Sequence, residues 1–491
     1  MSLPPIGFYR LQEERRCLNS VKVVIIGAGP AGLGAAHSLA RRGVKQVLVL
    51  EKGHNIEERQ LERLSGREGR FNITCGEGGS GAFSDGKLNF DLTIGWNTKN
   101  LPRARKEEGL AAAERLFTQY GIDCGKGSQE NVSTDLVRDS RSGVLLAPAR
   151  KLVHAGTDAL PGFVGRMTSD LKAMGIRFEY DTEVRDVRPA EDGFHVVLSD
   201  GRSVVSDYVV FAVGRVGSNW LKSVADRMGI KNEFGYIDIG VRVEVPSFIM
   251  ERLTKLYYEP KIYITTDTYQ DETRTFCVCP NGFVVSEPQE FNGSFLTGVN
   301  GHSYADGPKS PNTNFALLSR VNLTEPVADT GKYGKVMSLL ATVIGDERPI
   351  IQRWTDFVSG RRSTFSRIDE CPTKPTLYKK LTERGVEYEV TPGDVSLTAA
   401  YRIALNLKES LFKLERFFPG LAGTENDPSP YTLLYFPEPK FYSTKIHVNE
   451  SFETSIPGVY AVGDGAGQTR GLVPALITGI FAGEDIAQRV G

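Results

Sequence analysis

"KVVIIGAGPAGLGAAHSLARRG", residues 22–43, carries no formal charge between Lys22 and Arg41. An apolar stretch of this length could enter a membrane, and Arg15 and Arg16 just upstream resemble a twin-arginine export signal. The glycines argue against that reading. The branched run Val23, Val24, Ile25 and Ile26 stops at Gly27-Ala-Gly29-Pro-Ala-Gly32, a poor spanning helix but a good strand, tight turn and helix start. Residues 22–43 are therefore expected to open a soluble α/β unit.

In Gly27-x-Gly29-x-x-Gly32 the first glycine permits the tight turn, the second lets the backbone approach a pyrophosphate, and the third lets helix and strand pack closely. With Pro30 and Ala31 it opens a helix whose N-terminal N–H groups and dipole favour an anion. A second strand, "QVLVL", ends at Glu51, where an acceptor for ribose hydroxyls is expected, with Lys52 following. This fingerprint serves NAD and FAD alike, and a later segment decides between them. In "GVYAVGDGAG" (458–467) a strand runs into Gly463-Asp464, and a helix begins near Gly471. Asp464 at the strand end suits a ribityl hydroxyl, and Gly471, Leu472 and Val473 present a helix N-terminus to the electron-rich edge of a flavin. "DYVVFAVGR" (207–215) reads as another strand ending in a glycine turn, which brings Ala212 and Gly214 towards the cofactor. No second GxGxxG follows a strand, so the sequence points to one dinucleotide site, and that site to FAD.

The 491 residues suffice for more than one structural unit, and 59 Lys and Arg against 60 Asp and Glu give no overall attraction to nucleic acid or anionic lipid. Six scattered cysteines with no CxxC pair fit a reducing, cytoplasmic setting rather than a disulfide framework. The middle of the chain is strand-like ("YIDIGVRVEV", "KIYITT", "FCVCPNGFVV") with helical patches such as "KVMSLLATVI", whereas the C-terminal stretch returns to strand, glycine turn and helix. The expected layout is discontinuous: residues 1–236 and 431–491 form a Rossmann-like FAD/NAD(P)-binding α/β domain, and residues 237–430 are inserted as a substrate or cap domain.

Three segments, "FNITCGEGGSGAFSDGKLN" (71–89), "FCVCPNGFVV" (276–285) and "GVYAVGDGAGQTRGLVPALITG" (458–479), give a resemblance over nearly the whole chain from Lys22. The sequence resembles the NAD(FAD)-utilising dehydrogenases, FAD-dependent members of the glutathione reductase type two flavoproteins. The resemblance implies that the inserted domain is α+β and largely antiparallel, with its sheet covering the flavin. It implies that Gly27, Gly29, Gly32, Glu51 and Asp464 bind FAD, and that Gly76, Gly78, Gly79, Gly81, Ser84 and Lys87 form a loop over flavin and pyrophosphate. Cys75 departs from the family, where a larger apolar residue is usual. Apart from the family, successive N–H groups in this loop could form an anion-binding nest, with Lys87 neutralising phosphate or reduced flavin. Val184 completes the set expected at the cofactor.

The remaining candidates for chemistry each have a bland alternative. Cys277 and Cys279 lie two apart in a strand; Cys279 is the better thiol candidate, and the alternative is a pair of buried apolar cysteines. His302 in "GHSYADG" could act as acid or base, or be a solvated loop histidine. Arg361 and Arg362 in "SGRRSTF" could clamp a carboxylate, as could Arg470 at the cofactor edge; the alternative is a surface ion pair. Tyr435 and Tyr442 read as packing residues, and no His or Cys spacing suits a metal. The expected activity is FAD-dependent hydride transfer to or from a small organic substrate, with NAD(P)H or another carrier as a possible second partner and neither nucleic acid nor membrane expected. Two other readings are a flavin monooxygenase that uses NAD(P)H and a flavoprotein that modifies or binds RNA.

Overall fold

The computed structural model describes residues 17–64, 74–84, 86–98, 101–126, 137–139, 143–147, 151–235, 237–257, 260–291, 294–304, 307–321, 323, 329–382, 385–441 and 443–491. The opening stretch is strand Cys17–Ile26, a glycine turn and helix Pro30–Arg41, and among the described residues no helix is long and apolar enough to cross a membrane. Arg15 and Arg16 lie outside the described residues.

The β-branched run of the first strand belongs at the centre of a sheet, where both faces are covered. Val23, Val24 and Ile25 have no exposed surface. The strand pairs in parallel with Val47–Leu50 on one side and Ser203–Phe211 on the other, within a seven-stranded mixed sheet. Strand Ser203–Phe211 serves two further neighbours along one edge. Its first half pairs antiparallel with Gly193–Leu198, and its second half pairs parallel with Val459–Ala461 near the C-terminus. The final helix, Leu472–Val490, lies against the first helix, and residues from both ends of the chain share one apolar core, including Val23, Leu39, Tyr460 and Phe481.

A second, nine-stranded and mainly antiparallel sheet has strand Ile237–Pro246 near its centre, flanked by Asn312–Val321 and Leu433–Phe441. Alternation along this strand sorts its side chains by face. Ile239, Val241, Val243 and Val245 enter an apolar core with Met337 and Ala341 of helix Thr330–Ile344 and Leu411 of helix Tyr401–Glu415. Asp238, Arg242 and Glu244 point to the opposite face, yet each is at most 1% exposed. The sheet also recruits residues outside the segment expected to build it. Strand Leu433–Phe441 pairs with Ile237–Glu244, and Val144–Ala147 and Val137–Asp139 extend the far edge. The expected boundary at 430/431 therefore falls before a strand of this sheet rather than after it. The physical reason is that an antiparallel sheet draws edges from any segment that can supply a ladder, however distant in sequence.

Candidate active site

Glycine packing sets the geometry of the first turn. A Cβ on Gly27 (φ +108°) would lie 2.4 Å from the Ala212 carbonyl oxygen, and one on Gly32 would lie 1.9 Å from the Gly27 carbonyl oxygen. These two glycines are required by the protein itself. Gly29 differs: a Cβ there would meet only the Gly79 Cα, at 4.0 Å. Gly214 and Gly471 likewise have nothing within 4 Å of such a Cβ. Three of the expected cofactor glycines thus border open space rather than packed protein, the pattern of a cradle that side chains would fill. A narrow apolar cleft of about 20 Å³ beside them is lined by groups including Pro30, Gly78, Gly81 and Leu472. No side chain caps the N-terminus of the first helix, and it has no acid in its first turn, so its positive dipole end is placed to meet a ligand's anionic groups. The final helix also lacks an acid in its first turn, but the Asp464 carboxylate already accepts from the Gly471 N–H at its start. These features fit a dinucleotide.

Glu51 organises the same crevice. One carboxylate oxygen accepts from the Ala28 N–H at 2.8 Å, and the other from Gly53 at 3.0 Å and Gly76 at 2.9 Å. Lys52, by contrast, points outward to an exposed ion pair with Glu183 at 2.7 Å. Thr182, two residues before Val184, donates its N–H to the Glu51 carbonyl at 2.9 Å, which places buried Val184 beside the end of the second strand.

The glycine-rich loop differs from the nest expected for it. Gly76 donates to Glu51, Gly78 to the Ala28 carbonyl at 2.9 Å and Gly79 to Gly76 at 2.8 Å, and Gly79–Phe83 winds into a short 3₁₀ turn. These N–H groups are therefore engaged within the protein. The loop is held from beneath by Arg59, 1% exposed, whose guanidinium donates to the Glu77 carbonyl and, at 3.1 Å, to that of Gly79. Burial lowers the Arg59 pKa to about 10. Ser84 donates to the Gly81 carbonyl at 3.0 Å and so closes the turn. Residues 71–73 and Asp85 of the motif lie outside the described residues. In the sequence, Arg59 was hidden as one of several charges on helix Ile56–Leu64.

At the other end of the crevice, Asp464 accepts from Thr469 Oγ1 at 2.8 Å and from the Gly471 N–H at 3.2 Å. Burial raises its pKa, and Arg215 opposes the shift.

Three contacts near the crevice, among the described residues, link it to the middle of the chain. Lys87 Nζ donates to the Val278 carbonyl at 2.5 Å and lies 3.4 Å from Cys279 Sγ, so two sequence candidates come together at a site where both are buried. Ser303 Oγ lies 3.2 Å from His154 Nε2, and His154 is paired with Lys87 in the short ladder Lys87–Asn89 with Leu152–His154. The histidine in register with Lys87 is thus His154, and His302 is the chain neighbour of Ser303. The third contact is Arg470 Nη1, 3.9 Å from Asp238. Burial raises the Asp238 pKa, but Arg274, Arg470 and Arg320 outweigh it and hold the carboxyl below its usual value. Arg274 and Arg470 also both approach the Phe276 ring, at 4.1 and 5.5 Å from its centroid.

Sequence reading missed the buried charges behind this seam. Arg242, with no exposed surface, makes a bidentate pair with Glu438 at 2.7 and 2.6 Å and donates to Asn314 at 2.9 Å and the Cys277 carbonyl at 3.2 Å. Lys440 adds a second cation, 3.1 Å from Glu438. Tyr435 is more than packing, since its hydroxyl donates to fully buried Glu244; Tyr442 lies outside the described residues. The available signal was the alternation in "IDIGVRVEV": charges at every second or fourth position of an otherwise apolar strand mark one polar face.

Arg361 is not gathered into this site. Its Nε donates to buried Asp356 at 2.7 Å, which also engages Arg353 and Arg367. The register places Leu433 opposite both Arg353 and Glu244, and Lys440 opposite Asp238. Arg361 therefore belongs at the end of the sheet away from Arg470, where the geometry is that of an ion-pair network.

A family model described as FAD dependent oxidoreductase matches residues 22–132, and one described as pyridine nucleotide-disulphide oxidoreductase matches residues 146–247. The chain is an FAD-dependent oxidoreductase. An uncharacterized protein of Clostridium beijerinckii is 24% identical over 509 residues, covering 97% of this chain and 84% of its own length. Among solved structures, glycine oxidase from Geobacillus kaustophilus aligns with TM-score 0.39 and 14% identity, covering 96% of this chain and 95% of that one. L-proline dehydrogenase from P. horikoshii aligns with TM-score 0.39 and 12% identity, covering 96% and 93%.

Proposed function

We propose that this oxidoreductase exchanges a hydride with a small organic substrate held between the glycine turns and the charged face of the nine-stranded sheet. The observation that carries this reading is the buried contact of Lys87 with Cys279 and the Val278 carbonyl, which joins the strand after the glycine loop to the second sheet. When bound, FAD supplies the hydride chemistry. Gly27, Gly29, Gly32 and Glu51 would hold its nucleotide end, and Asp464, Gly471, Leu472 and Val473 the ribityl and ring end. Gly76, Gly78, Gly79, Gly81 and Ser84 close the crevice from above, and Ala212, Gly214 and Val184 line its walls. Lys87 supplies a positive charge where negative charge develops. Cys279 acts as a positioning group that fixes the Lys87 ammonium, and Arg242 and Glu438 hold the strand carrying both partners. Arg361 has a structural role in this reading.

We further propose a division of labour in which residues 17–126, 151–235 and 443–491 bind the nucleotide, while residues 137–147 and 237–441 cover the ring and shape the substrate space. The resemblance to NAD(FAD)-utilising dehydrogenases supports a dehydrogenase rather than a monooxygenase. A reducing cytosolic setting is supported by the five free cysteines among the described residues. The test is to purify the chain, identify the released flavin, and measure the midpoint potential of the wild type and of Lys87→Met. Losing a cation beside the reduced flavin should lower the potential by roughly 30 mV or more with FAD content kept. An unchanged potential would remove Lys87 from the site. Reduction by NADPH followed by oxygen uptake and a hydroxylated product would favour the monooxygenase reading.

A further inference from the structure

Helix Thr330–Ile344 covers the apolar face of the nine-stranded sheet, on the side away from Arg242 and Lys87. Its inward positions are mostly small: Gly334, Ser338, Ala341 and Thr342 pack there with Met337. Its large apolar residues face outward instead. Val336 is 60% exposed, Leu339 and Leu340 are each 43%, and Val343 is 71%. Spacings of three, four and seven put these four side chains in one stripe along the helix. Phe295, 45% exposed, extends it from strand Ser294–Leu296, which packs beside the helix and is tied to it by the Thr297 N–H donating to Thr342 Oγ1 at 2.8 Å. Single exposed apolar residues are ordinary, whereas a contiguous run of this kind marks a contact surface.

The stripe is complementary to its own reverse. When two copies are laid antiparallel about a point between Leu339 and Leu340, Leu339 faces Leu340, Val336 faces Val343, and the start of each helix comes near the turn that follows the other. Asp329 and Lys332 are exposed at the start, with Lys335 half-buried one turn on; Asp346, Glu347 and Arg348 are exposed just beyond the end, so a net positive start meets a net negative end. A twofold axis requires one patch to match itself in this way. An anionic bilayer would attract the lysine end and repel the acidic end, so the charges favour a second copy of the chain over a membrane. We propose that this helix face is the isologous interface of a homodimer, with both candidate active sites on the far sides of the sheets from it.

Sedimentation velocity on the FAD-loaded full chain should give twice the 54.0 kDa chain mass at micromolar concentration. Leu340→Glu should weaken dimerisation roughly tenfold or more while flavin content and melting temperature stay at wild-type values; Val343→Glu repeats the test at a more exposed position should Leu340→Glu fold poorly. Lys332→Glu and Glu347→Lys should each weaken the dimer, and the double variant should restore it. A wild-type monomer, a dimer indifferent to both glutamate variants, or a monomer that instead co-sediments with phosphatidylserine vesicles would overturn the proposal.

Discussion

The first turn and the charged sheet face are built from opposite materials. Around Gly27–Gly32 the backbone defines the shape, and the informative residues are those without side chains. On the face carrying Asp238, Arg242, Glu244 and Glu438 the side chains define it, and each charge is tolerated only because a partner from another strand meets it. The first region is specified locally, the second by long-range pairing. The two should therefore respond to mutation in different ways.

The largest effect belongs to the paired region. Glu438→Ala leaves buried Arg242 without its carboxylate, and urea unfolding should report a loss of about 3–5 kcal/mol. Arg242→Met combined with Glu438→Met should recover at least half of it, because two absent charges cost less than one orphaned charge. A double variant as unstable as the single would break the comparison by showing that the pair does more than cancel itself.

The next test asks whether the turn region has an electrostatic weakness of its own. His37, on the first helix, has its pKa lowered to about 4 by burial, with Arg41 adding to the shift. Its folded value lies below the unfolded 6.5, so the associated stability is complete above pH 6.5 and lost as pH falls towards 4. The loss should be about 2–3 kcal/mol, and His37→Gln should flatten that part of the stability profile relative to the wild type.

A glycine pair then separates the protein's needs from the ligand's. Gly32→Ala drives a methyl into the Gly27 carbonyl and should destabilise by about 1–3 kcal/mol or more, even without FAD. Gly29→Ala has room, so the apoprotein should melt as the wild type does, while titration with FAD should show affinity down roughly tenfold, about 1.4 kcal/mol. Equal behaviour of the two variants would erase the distinction between packing and cradle glycines. The smallest effect is expected at Lys52. Its ion pair with Glu183 is more than half exposed on the lysine side, and Lys52→Ala should change stability by less than about 0.5 kcal/mol with FAD content intact.

The same contrast explains what the sequence could disclose. Gly27, Gly29, Gly32 and Glu51 follow one another within one strand–turn–helix–strand unit, so spacing alone announces the crevice and the α/β fold, while the mainly antiparallel character of the second sheet was implied by the family resemblance. Lys87 and Cys279 could be named as candidates, but their meeting depends on two sheets whose docking no local pattern encodes. Arg242 and Glu438 are 196 positions apart and touch only because antiparallel strands bring them into register. Arg361 shows the converse: a paired-arginine motif invited a substrate-binding reading, and tertiary structure spent it on Asp356.

Strand Val459–Ala461 and the final helix complete a core begun by residues 23–49. During synthesis, the strands at 23–26 and 203–211 must wait on or near the ribosome with one margin unfilled until residues 459–490 have been made. A chain cut short before Val459 would thus leave those strands open, making them the part most exposed to chaperones and proteases.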